Sequence, residues 1–134
     1  MRFLNFQEPY YSYNKSIPML TIFGIKNCDT MKKAFTWLEK SNIPYAFHDY
    51  KKSGIDAKTI HIWLKHLTLD QLINKKGTTW KNLTEAEKAS AQDTDKAISL
   101  MISNPSMIKR PLVYSDKGYL LGFNENEWHN SFKG

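Results

Sequence analysis

The run "LTIFGI", residues 20–25, is followed at once by a helical period and then by a second strand-like run. No other feature limits the fold of this chain so strongly. The run is apolar and β-branched and ends at a glycine, the pattern of a buried strand. Met31, Ala34, Phe35 and Leu38 then recur at i, i+3, i+4 and i+7 and make one apolar helix face. Asp29 and Thr30 are capping residue types at its start. "SNIP", residues 41–44, ends the helix, because Pro44 cannot continue it and disfavours helix at Ile43. "YAFHDY" alternates as a second strand. A strand–helix–strand succession of this kind makes the two strands parallel.

Ile55-Asp56 begins a second helix carrying Ile60, Trp63, Leu64 and Leu67. "TLDQLINKKGTTWKNL" reads as a short helix, a loop and another helix start. "TEAEKASAQDTDKAISLMISN" reads as two helical pieces, the second with Ala97, Ile98, Met101 and Ile102 on one face and a stop at Asn104-Pro105. "PLVYS", the turn "DKG" and "YLLGF" predict a β-hairpin, and "NENEWHNSF" a closing helix. The order β-α-β, helices, β-β-α gives an α/β chain with a mixed sheet and helices packed on it. Residues 1–18 are rich in Tyr, Asn, Ser and Pro without a period. They are expected to be a flexible N-terminal extension, with 19–134 forming a single domain.

With 134 residues, 41% of them hydrophobic, the chain has the size and apolar content of one folded domain rather than a disordered segment. No run reaches the roughly 18 to 20 apolar residues of a membrane span, and the start does not read as a signal peptide. The single cysteine cannot make an internal disulfide, so a reducing, cytoplasmic location is expected. The Cys and His residues lack zinc-type spacing, and His61 and His66 are five apart, so no metal site is expected. The net charge of +6 suits anionic partners. Its lysines are scattered rather than striped, which argues against direct nucleic-acid binding.

Two residues carry the chemistry. Cys28 falls where the first strand gives way to the first helix. A thiol there faces unpaired backbone N–H groups and the positive end of the helix dipole, both of which favour thiolate. Lys26, Lys32 and Lys33 add positive charge, and Asp29 opposes it. Arg110, in "MIKRPLVY", is the one arginine outside the N-terminal extension and directly precedes Pro111 and the third strand. Its planar fork suits oxyanions.

The stretches "GIKNCDTMKKAFTWLEKSNIPYAFHDYKKSGI", "KKGTTWKNL" and "MIKRPLVYSDKGYLLGF" together resemble the arsenate reductase-like (ArsC) family. The likeness is to its small YffB-type branch and, more distantly, to the Spx and MgsR regulators. It spans nearly everything from Met19 onward and rests on three marks in order: a Cys closing the first strand, a G-T-T-W block, and R-P before the third strand. The resemblance implies a thioredoxin-like fold with an inserted helical segment, and Pro111 as the cis proline facing the active-site cysteine. It implies Cys28 as the nucleophile and Thr30 in the loop whose N–H groups bind the anion. Lys76 and Arg110 would be the basic residues that hold a small anionic substrate. No cofactor is expected to bind tightly; glutathione is the implied co-substrate, with glutaredoxin as a further partner. The alternatives are arsenate reduction proper and an Spx-like regulator that binds RNA polymerase. Four positions depart from the pattern. Lys76 replaces an arginine, Leu120 stands near the place of another, and Gly24 stands where arsenate reductases carry a histidine. Met31 occupies the second position of the Spx C-x-x-C pair.

Overall fold

The computed structural model describes residues 20–133, so the expectation for residues 1–18 lies outside the described residues. The described chain divides into two compact units. One contains residues 20–49 together with 110–133; the other contains residues 50–109, which correspond to the inserted helical segment.

The first unit is built on a four-stranded sheet in the order β2-β1-β3-β4. Strand β1 (Leu20–Gly24) pairs parallel with β2 (Tyr45–Asp49) and antiparallel with β3 (Leu112–Ser115). Strand β4 (Gly118–Leu121) completes the hairpin with β3. The mixed sheet, with helices packed on it, is an α/β thioredoxin-like arrangement, as expected. Helix α1 (Asp29–Lys40) links the parallel strands and the last helix, Glu125–Phe132, closes the chain. Leu20 and Ile22 of β1 are fully buried with Met31, Ala34 and Leu38 of α1 and Trp128 of the last helix. The alternation in β1 and the three-to-four spacing in α1 thus converge on one core, which hydrophobic burial holds together.

Two local corrections concern the ends of α1. Its N-cap is Cys28, not Asp29 or Thr30, and no side chain caps it. Asp29 is already the first helical residue, where its carboxylate complements the helix dipole without closing on the backbone. At the other end, the helix stops before Pro44 acts. Asn42 takes a left-handed conformation at φ 56°. The N–H of Asn42 donates to Glu39 O (3.2 Å) and that of Ile43 to Leu38 O (3.0 Å), the paired bonds of a Schellman motif.

The second unit is a run of short helices: α2 (Tyr50–Ser53), α3 (Ala57–Trp63), α4 (Leu69–Leu72), α5 (Thr78–Lys81), α6 (Glu85–Ser90) and α7 (Thr94–Ser103), then a 3-10 turn at Pro105–Met107. The closing helix of the chain is therefore α8. Side-chain caps define most of the starts: Asp56, Thr68, Thr84 and Asp93 each accept a hydrogen bond from the third residue on. Two expectations change in detail. Tyr50 opens α2 instead of ending β2, and α3 stops at Trp63, so Leu64 and Leu67 follow it. Ala97, Ile98 and Met101 are buried as the spacing predicts, but Ile102 stays 39% exposed at the edge of the apolar stripe. No described helix is long and apolar enough to cross a membrane, and no group of three metal-ligating side chains occurs among the described residues.

Candidate active site

Antiparallel pairing decides where the site forms. Phe23 of β1 pairs with Leu112 of β3, so β3 begins where β1 ends. The residues just before β3, Arg110 and Pro111, are thereby delivered to the exit of β1, where the chain turns into α1. Within that turn the Cys28 N–H donates to Lys26 O at 3.2 Å. Cys28 follows in extended conformation (φ −150°, ψ 130°), and its carbonyl accepts the Lys32 N–H at 2.9 Å, which starts the helix. The sulfur is left at the N-terminus of α1, half-buried and free of any disulfide.

Burial pushes the Cys28 thiol up, but other groups outweigh it and hold the pKa below its ordinary value. The backbone N–H of Met31, the Arg110 guanidinium and the Thr30 N–H face the sulfur and favour its charged form, and the Arg110 charge adds a direct attraction. Hydrogen bonds to the charged form are the physical content of an activated thiol. Cys28 caps the helix without a competing side chain, so these first-turn N–H groups remain available to sulfur. Thr30 contributes its backbone from the second position of α1; its side chain is exposed.

The Arg110–Pro111 peptide bond is cis, and Pro111 is buried. Two hydrogen bonds support this turn from behind. The Gly122 N–H donates to Pro111 O (2.8 Å), and the Trp128 indole Nε1–H donates to Gly122 O (3.1 Å). Gly122, at φ 79°, has the backbone freedom that places both of its peptide groups in this relay. Sequence reasoning missed Met31, Gly122 and Trp128 as contributors. All act through backbone or from a core position, and none has a residue type that signals chemistry.

Gly24 and Met31, read as departures from the family pattern, belong together. A Cβ at Gly24 would lie 2.6 Å from Met31 Sδ and 2.7 Å from its Cε. Met31 is fully buried and fills the space that a larger residue at position 24 would need. Leu120, near the place of an expected arginine, is half-buried against the core. Lys76 belongs to the second unit, where it is exposed directly before Gly77, the N-cap of α5. The described geometry therefore assembles Cys28, Thr30, Arg110 and Pro111, all in the first unit.

A sequence model of the ArsC family matches residues 23–131. The chain belongs to the ArsC family. It is 44% identical over 114 residues to an uncharacterized protein of Haemophilus influenzae, covering 85% of this chain and 99% of the relative. Among solved structures, a YffB protein is 43% identical with a TM-score of 0.77, covering 83% of this chain and 96% of the other. An arsenate reductase (ArsC) related protein of Brucella melitensis is 46% identical with a TM-score of 0.69, covering 87% and 96%. The global transcriptional regulator Spx of Streptococcus pneumoniae is 30% identical over 112 residues, 81% of this chain and 82% of the regulator. The family places this ArsC chain among thiol-dependent oxidoreductases.

Proposed function

We propose that this protein is a glutathione-dependent monothiol reductase of the cytoplasm, with Cys28 as its nucleophile. The observation that carries the reading is the convergence of the Met31 and Thr30 N–H groups and the Arg110 guanidinium on the Cys28 sulfur. The chain has one cysteine, so a second thiol must come from outside. In the first step the Cys28 thiolate attacks a disulfide substrate, forming a mixed disulfide and expelling one substrate thiolate. A glutathione thiolate then attacks the Cys28 sulfur, releasing the second substrate thiolate and leaving Cys28 glutathionylated. A second glutathione, or glutaredoxin carrying it, removes that group as glutathione disulfide. Two glutathiones give up two electrons, one disulfide is reduced to two thiols, and Cys28 returns unchanged. Arg110 supports the thiolate as attacker and leaving group and meets a carboxylate of glutathione.

The test is intact mass after exposure to glutathione disulfide. Wild type should gain one glutathione rapidly, Cys28→Ser none, and Arg110→Ala one at a reduced rate. A Cys28 that resists the reagent at pH 8 would remove the proposal. Arsenate reduction draws less support, because Lys76 and Leu120 stand at or near places where relatives carry arginine forks. The likeness to Spx supports a second reading, a regulator that binds RNA polymerase. Met31 stands at the second position of the C-x-x-C pair, so such a regulator would lack an internal disulfide switch. Co-purification with polymerase that persists in Cys28→Ser would favour this second reading.

A further inference from the structure

The outward side of α1 carries a groove of about 400 Å³ within the first unit. Its rim is lysine: Lys32, Lys33 and Lys40 line it and are exposed. Lys133, just past α8, brings its Nζ to 5.8 Å from the Trp37 ring centroid. The apolar wall is made of Trp37 and Phe123. Both pack edge-on against the fully buried Trp128, at 5.7 and 4.9 Å between centroids. That cluster fixes the two rings from behind and leaves them half-exposed.

Helical periodicity makes the groove linear. Lys32, Thr36 and Lys40 follow one another at intervals of four, and Lys33 and Trp37 do the same beside them. The Lys32 N–H bonds to the Cys28 carbonyl, so the line begins one turn beyond the cysteine. Glu125 also lines the groove, and Asp29 lies one turn before Lys33; the lysines outnumber them. Ion pairs in the second unit join Lys75 to Asp70 and Lys88 to Glu85, and engage none of the α1 lysines.

We infer that this groove docks a short acidic segment of a partner protein, extended along α1 with one apolar side chain seated against Trp37 and Phe123. Clustered cations around two rigid, half-exposed aromatics have the make-up of a recognition site: charge selects the partner and the rings anchor it. Lys32 and Lys40 are about 12 Å apart along the axis at about 1.5 Å per residue, and about four extended residues cover that span. Glu125 suits a polypeptide better than a nucleic acid, because its carboxylate can accept a backbone N–H, a donor that a sugar-phosphate backbone lacks. Docking here does not depend on Cys28 chemistry and goes beyond the reductase reading.

The experiment is fluorescence anisotropy of a labelled peptide, Glu-Asp-Phe-Glu-Asp-Leu, with the full chain carrying Cys28→Ser, so that no mixed disulfide contributes. Saturable binding is expected, weakened about tenfold or more by combined Lys32→Glu, Lys33→Glu and Lys40→Glu. Circular dichroism checks the fold of that variant, and Trp37→Ala supplies an independent loss of affinity. The amide analogue, Gln-Asn-Phe-Gln-Asn-Leu, should bind at least tenfold more weakly. Equal affinity for the amide analogue, indifference to charge reversal, or no binding at about 1 mM protein would each overturn the inference. Tighter binding of a single-stranded oligothymidylate would also overturn it, as would displacement of the peptide by glutathione.

Discussion

The balance at the Cys28 sulfur sets what a single substitution should do. Arg110 supplies both a hydrogen bond and a charge, so Arg110→Ala should raise the thiol pKa. The half-point of iodoacetamide alkylation against pH should then move upward. Arg110→Lys should recover part of that shift, because it keeps the charge and loses the planar fork. An unchanged half-point in Arg110→Ala would mean that the helix N-terminus acts alone. The same shift has a consequence for stability. The Cys28 pKa is lowered in the fold, so the unfolded chain holds the thiol proton more tightly, and stability from this group rises with pH. Its contribution is complete above the ordinary thiol range and disappears as pH falls through the lowered value. The stability of wild type relative to Cys28→Ser should therefore grow, by urea titration, as pH rises toward the ordinary thiol value of about 8.5, and grow less in an Arg110→Ala background. A difference flat in pH would contradict a thiolate held by the fold.

The elements were largely legible in sequence because their signals were local. Periodicity gave the apolar face of α1, and the helical pieces of residues 55–103 were readable as segments, while side-chain caps at Asp56, Thr68, Thr84 and Asp93 set the starts of α3, α4, α6 and α7. What was not legible depended on contacts distant in the chain or on one peptide's geometry. Asp29 carries a capping side chain, yet the turn after β1 puts Cys28 in that role. Gly24 looked like a missing functional residue and is a packing partner of Met31. That pairing predicts a double-mutant cycle. Gly24→Ala forces a methyl against a buried side chain and should cost about 1–3 kcal/mol. Met31→Ala opens a cavity and should cost about 2–5 kcal/mol. Together they should cost less than their sum, because the new methyl occupies space that Met31 vacates. Additive losses in thermal or urea unfolding would show that the two positions do not share that space. At α8, Asn124 accepts the Glu127 N–H at 2.8 Å. Asn124→Ala should cost about 0.5–2 kcal/mol and Asn124→Ser much less.

At the scale of the whole molecule, the site residues are contributed by segments far apart in sequence. Cys28 and Thr30 come from the first crossover, and Arg110 and Pro111 follow the sixty-residue helical unit. The R-P mark before the third strand was readable in sequence, but its meeting with sulfur follows from the antiparallel pairing of β1 with β3. Lys76, in the helical unit, poses the remaining question of whether that unit takes part in the chemistry. A kinetic cycle answers it without reference to geometry. If Lys76 and Arg110 hold the same glutathione, Lys76→Ala should slow its addition to Cys28 by a few-fold, in keeping with an exposed cation worth about 0.2–1 kcal/mol. Arg110→Ala should slow it by about tenfold or more, since a charge-assisted bond is worth about 1.5–3 kcal/mol. The double variant should then fall short of the product of the two effects, because removing either group loosens the anion that the other binds. Lys76→Arg should speed addition, as a fork replaces a point charge. Strictly multiplicative effects, with Lys76→Arg indistinguishable from wild type, would assign Lys76 to the solvated surface and leave glutathione recognition to the thioredoxin-like unit.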